Sequence, residues 1–153
     1  MREIFLDFKI SKPDEVIFSL IWSSNPFFTA VKNGFEDQIN EKITSSGLEI
    51  LKSKKISLTE EIAMNFYNEH SSKPFYNELV EFITSGEVIV QVLQGENAIK
   101  SYRALMGSTN PEEAEDGTLR KLFAESLSRN AVHGSDSQES AMREIAIMED
   151  IFR

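Results

Sequence analysis

The chain contains no cysteine, which excludes disulfides, thiolate metal sites and cysteine nucleophiles and makes the cytoplasm the simplest compartment to expect. Positive charge is scarce. Lys and Arg number 16 against 25 Asp and Glu, a formal net charge of −9, so the broad positive field that nucleic acid or an anionic membrane needs is missing. Apolar runs fall far short of a membrane span, and Met1-Arg2-Glu3 does not open a secretory signal, so a soluble protein is expected. Histidine occurs twice and tryptophan once. What the chain does have is 153 residues with 41% hydrophobic content, the size of one ordinary domain over 1–153 with a real core. An acidic protein of this kind can still hold a small phosphate compound, through a few focused cations and a divalent ion carried by the ligand.

Hydrophobic spacing lays out alternating elements. Residues 4–11 alternate loosely and predict a first strand, which Lys12-Pro13-Asp14 ends. Residues 15–29 then include Trp22 and three of the 11 phenylalanines. Leaving such side chains in water would forfeit about 1.5 to 3 kcal/mol each, so the segment should pack in a subunit interface or against a sheet. A helix is predicted over 35–46, stopped by Gly47, followed by a strand over 48–56. Ser57-Leu58-Thr59-Glu60 has capping-box spacing for a helix running to about His70. After Lys73-Pro74 come a helix over 76–84, a strand over 88–93 whose β-branched run marks it as central, and a helix over 96–106. An acidic loop over 108–117, a short helix over 119–127, a strand reaching His133 and a helix over 138–147 complete the order. This pattern predicts an α+β sandwich, with helices on one face of a small, mostly antiparallel sheet.

Candidate chemistry gathers at strand ends. His133 follows the apolar pair Ala131-Val132 and precedes Gly134-Ser135-Asp136-Ser137, a sharp turn into a capped helix. There an imidazole can face a ligand, or can sit half-buried on a nearby carbonyl. Arg103, Thr109 and Arg120 flank the acidic loop, and two planar guanidinium groups with a hydroxyl suit a di- or triphosphate, although lone arginines are usually solvated charges. Tyr67 and Phe75 could clamp a flat base or could be core residues. Glu144 could fix the imidazole from the last helix.

Taken together, Asn130-Ala131-Val132-His133-Gly134-Ser135-Asp136-Ser137, with Pro74-Phe75, Ser85-Gly86, Met106-Gly107-Ser108-Thr109-Asn110-Pro111 and Gly117-Thr118-Leu119-Arg120, resembles the nucleoside diphosphate kinase family from Ala30 onward. The resemblance implies a ferredoxin-like fold with a four-stranded antiparallel sheet. It also implies transfer of the γ-phosphate from a nucleoside triphosphate to a diphosphate through a phosphohistidine on His133, with magnesium on the nucleotide and a homo-oligomeric assembly. Glu144 and Ser135 would hold the ring so that the other nitrogen attacks. Lys12, Tyr67, Arg103, Thr109, Arg120 and Asn130 match positions that bind phosphates or sugar, and Phe75 matches the aromatic that stacks on the base.

The match departs from the family near the start. There Lys-Pro-Asp runs straight into an Ala-Val-type sequence, whereas here 15–29 separates Lys12-Pro13-Asp14 from Ala30-Val31-Lys32. We read 15–29 as an apolar insertion. A rival register makes 16–22 the first strand and removes Lys12 from the site. Lys121-Leu122 also replaces the usual Gly-Asp after Arg120, and Lys73 stands where arginine is common. A family member impaired by the insertion, surviving as a nucleotide-binding or protein-interaction module, is the alternative function.

Overall fold

The computed structural model describes residues 15–22, 35–124 and 132–152. In these, four strands form one antiparallel sheet in the order β2-β3-β1-β4, with β1 Val16–Trp22, β2 Glu49–Ser57, β3 Glu87–Gln94 and β4 Val132–Gly134. The helices are α1 Phe35–Ser45, α2 Glu60–Phe66, α3 Tyr76–Thr84, α4 Ala98–Met106, α5 Leu119–Phe123, α6 Gln138–Ile147 and α7 Glu149–Phe152.

Helices cover both faces of the sheet, not one. Val16, Phe18 and Leu20 of β1 and Val88, Val90 and Val92 of β3 join Phe66, Ile83, Ile145 and Met148 in one apolar cluster, from α2, α3 and the α6–α7 corner. Ile17, Ile21, Ile89 and Leu93 point the other way, into a second cluster with Ile39 and Ile43 of α1, Tyr102 and Met106 of α4, and Leu119 of α5. Successive strand side chains alternate between faces. A strand apolar at both parities must therefore be covered twice, and the two central strands are apolar at both.

The first strand is the main correction. The insertion predicted over 15–29 contains β1, which pairs with β3 from Val16↔Gln94 to Trp22↔Val88 and with β4 through Leu20↔His133. Ile17, Phe18, Leu20 and Ile21 have no exposed surface. Both edges of the strand are hydrogen-bonded, so it is an internal strand of the fold and its apolarity is that of the core. The rival register is the one whose strand is seen. The strand predicted over 4–11, and Phe28, lie outside the described residues.

Other boundaries moved less. Helix α2 is capped by Thr59, whose hydroxyl accepts from the N–H of Ile62 at 3.2 Å, because Ser57 is still paired in β2. After α2 the chain tightens into a single 3-10 turn over Asn68–His70. Helix α4 starts at Ala98, α5 is described to Phe123, and α3 and α6 have the expected limits.

Candidate functional site

β4 delivers His133 from the edge of the sheet. Its register partner is Leu20, and the hydrogen bonds beyond it hold the following turn. The N–H of Ser135 donates to the carbonyl of Phe18 at 3.1 Å, and the N–H of Phe18 donates to Oγ of Ser135 at 3.1 Å. Ser137 then caps α6 by accepting from the N–H of Ser140 at 3.0 Å, which starts the helix that carries Glu144.

Glu144 reaches back to the imidazole. Its Oε2 lies 2.9 Å from Nε2 of His133, and its Oε1 accepts from the Ser135 hydroxyl at 2.6 Å. The His133 side chain is 27% exposed and that of Glu144 4%. With both carboxylate oxygens engaged, a neutral ring carries its proton on Nε2 and leaves the Nδ1 lone pair free. Phe66 meets the ring edge-on at 5.2 Å between centroids, and Phe18 tilts against it at 6.5 Å. The imidazole is thus oriented by a carboxylate and walled by two phenyl rings.

The cations come from the other layer. Arg103 lies in the last turn of α4 and is exposed. Arg120 on α5 is half-buried, donating from Nη1 to the carbonyl of Gly107 at 3.0 Å and from Nη2 to that of Val132 at 3.1 Å. It therefore ties the end of α4 to the residue preceding His133. Burial and the neighbouring Arg103 lower its pKa while the Tyr102 phenol opposes them. Arg103 also helps to hold the Asp136 carboxyl below its ordinary range, after the larger effect of the Ser140 hydroxyl. Arg103, Arg120 and Asp136 thus share one electrostatic neighbourhood beside β4.

Gly107 is the turn between α4 and the acidic loop. Its φ is +82° and an added Cβ would meet Thr118 Oγ1 at 2.6 Å, so glycine is required twice over. Thr118 caps α5 by accepting from the N–H of Lys121 at 3.3 Å. Thr109 is exposed in the loop, and Phe75 is 47% exposed just before α3. Tyr67, which closes α2, is 6% exposed, and burial followed by the Glu144 carboxylate pushes its phenol above the ordinary tyrosine range. Lys121 and Leu122 are both exposed on α5.

Glu144 therefore joins His133 to Ser135, Arg120 bonds the carbonyl before His133, and Arg103 acts on Asp136 and Arg120. Asn130 and Lys12 lie outside the described residues. Since β1 begins at Val16, Lys12 precedes that strand and does not leave its far end. The sequence reading missed Phe18, Phe66 and the carbonyls that hold Arg120. Nothing local marks them, because they become neighbours of His133 through strand pairing and helix docking.

A family model described as nucleoside diphosphate kinase matches residues 28–150. A nucleoside diphosphate kinase from Wolbachia sp. subsp. Drosophila simulans (strain wRi) is 56% identical over 117 residues, covering 76% of this chain and 84% of that protein. One from Campylobacter fetus subsp. fetus (strain 82-40) is 55% identical over the same length, covering 76% and 85%. Among solved structures, the nucleoside diphosphate kinase of Aquifex aeolicus superposes with a TM-score of 0.81 at 36% identity, over 88% of this chain and 94% of that one. The apo enzyme of Encephalitozoon cuniculi gives 0.80 at 34% identity, over 87% of each chain. A match of this extent in sequence, with the fold to accompany it, places the chain in the nucleoside diphosphate kinase family.

Proposed function

We propose that Nδ1 of His133 is the nucleophile, and the observation that carries this is the 2.9 Å bond from Nε2 to a buried glutamate. The family's reaction, which this chain performs, moves the γ-phosphate of a nucleoside triphosphate to a nucleoside diphosphate. In the first half, Nδ1 forms a bond to the γ-phosphorus while the bond to the β–γ bridging oxygen breaks, and the diphosphate leaves. In the second half, a terminal oxygen of the acceptor diphosphate takes the phosphoryl group and the imidazole is restored. Glu144 stabilises the charge that develops on the ring, and Ser135 holds Glu144 in place.

The remaining roles follow from charge and position. Arg120 uses two of its five N–H donors on carbonyls, which leaves others for a phosphate, and Arg103 adds charge beside it. Thr109 would donate to the phosphates, Tyr67 and Asn130 would contact phosphate or sugar, and Phe75 offers an exposed ring for stacking on the base. Lys12, which precedes β1 in the chain, would add at most a peripheral cation. Magnesium fits as an ion brought by the nucleotide. Glu144 is already committed, and no group of three or more His, Asp or Glu among the described residues is arranged to ligate a metal. When bound, the ion neutralises charge on the β- and γ-phosphates.

Further parts of the reading are a single domain over 1–153, a homo-oligomeric assembly and a cytoplasmic location. Among the described residues no helix is long and apolar enough to cross a membrane. The test is labelling with γ-phosphate-labelled ATP. Wild type should give an acid-labile phosphoenzyme that a diphosphate acceptor discharges, and His133→Ala should give none. Equal labelling of His133→Ala would remove His133 from the reaction.

A further inference from the structure

Two hydroxyls are sealed inside the layer opposite His133. Ser19 and Tyr102 have no exposed surface, and their Oγ and phenolic oxygen lie 2.5 Å apart. Burying two polar groups is costly unless each satisfies the other, so this bond holds its two elements in one relative position. One element is β1 and the other is α4.

The location of the pair gives it a consequence for the site. Ser19 is the register partner of Gly134, the residue after His133. The Tyr102 ring lies against that glycine, since an added Cβ would meet its Cδ1 at 2.6 Å and its Cε1 at 2.8 Å, with Cε of Met106 at 2.9 Å. The phenol thus spans the seam between β1 and β4, bonded to one strand and pressed on the other. The next residue along α4 is Arg103, whose charge acts on Asp136, three residues after His133, and on Arg120. The row continues inward, because Ser19 also pairs with Gln91, whose Nε2 donates to Asn40 Oδ1 on α1 at 2.8 Å and to Ser53 Oγ on β2 at 3.3 Å.

We propose that Tyr102 is a positioning residue for phosphoryl transfer, its bond to Ser19 and its packing on Gly134 setting the separation between His133 on β4 and Arg103 on α4. This rests on His133 being the nucleophile. Burial raises the phenol pKa to about 12, so the group stays neutral and can donate throughout the working range. Phosphoryl transfer depends on alignment, and a displacement of about 1 Å can cost a hundredfold in rate. A small change in how deeply α4 sits on β4 is therefore felt at the transferring phosphate.

The experiment is a double-mutant cycle read by rapid-mixing measurement of phosphoenzyme formation, with urea midpoints on the same samples. At saturating ATP, Tyr102→Phe and Ser19→Ala should each slow phosphoenzyme formation about tenfold while KM for ATP changes less than about twofold. The double variant should be no slower than Tyr102→Phe, because both substitutions remove one bond. Folded single variants with wild-type rates would overturn the proposal, even with lowered urea midpoints, since the pair would then serve stability alone. A double variant slowed by the product of the two single effects would also overturn it. If Tyr102→Phe does not fold, Ser19→Ala decides, because it removes the same bond and leaves the ring on Gly134. Labelling that survives in His133→Ala would instead defeat the assignment of the nucleophile, which separates the two failures.

Discussion

The corner around His133 and the strand beside it are built in opposite ways. From residue 132 to 147 the chain uses short-range devices: a serine cap and a glutamate 11 residues from the histidine it holds, while Gly134 is the last residue of β4 and not the expected turn. β1 has none of these. It is held by pairing with β3 and β4, whose partners lie more than 60 residues away, and by burial on both faces. The two regions nevertheless share one site, since Phe18 of β1 exchanges backbone and hydroxyl hydrogen bonds with Ser135 and puts its ring near His133. A locally coded motif is placed by a strand that carries no local signal of its own.

The substitution expected to break this relation most strongly is Phe18→Ala. It removes a fully buried ring shared by the core and the His133 wall, and should cost about 3 to 5 kcal/mol in urea unfolding. A loss under about 1 kcal/mol would show that the site does not lean on β1. Next comes Glu144→Gln, which keeps the shape but replaces the anion that supports the ring. Phosphoenzyme formation should fall about a hundredfold, with unfolding changed much less. An unchanged rate would mean that the imidazole is oriented by Phe66 and Phe18 alone. The smallest effect is expected from Lys12→Ala, because Lys12 stands before β1 and not beyond its end. Turnover should fall less than about threefold. A larger loss would show that the chain before Val16 folds back onto the phosphate site.

Much of the site could be read directly. The run from Val132 to Ser137 and the glycines around the acidic loop need particular residue types at fixed spacing, and such demands show in any copy of the chain. The Ser135–Glu144 bond follows once residues 138–147 are helical, because the helix brings Glu144 back over the turn. The first strand was misassigned for a related reason. Lys12-Pro13-Asp14 is a vivid triplet after an alternating stretch, while 16–22 is a plain apolar run that could be an insertion, an interface or a strand. Periodicity cannot tell a strand buried on both sides from other buried segments. The same ambiguity hid the second helical layer, because the extra apolarity of β1 and β3 is the trace of that layer.

The order of elements from residue 35 onward, the pairing of His133 with its glutamate and the family were determined by the sequence alone, since each depends on local spacing or on a motif. Tertiary structure decided which apolar run is the first strand, that helices cover both faces, that Arg120 is anchored on Gly107 and Val132, and that Tyr102 meets Ser19 behind Gly134. Those contacts join residues 12 to 83 positions apart. No short window contains both partners, and only the docking of helices on a completed sheet brings them together.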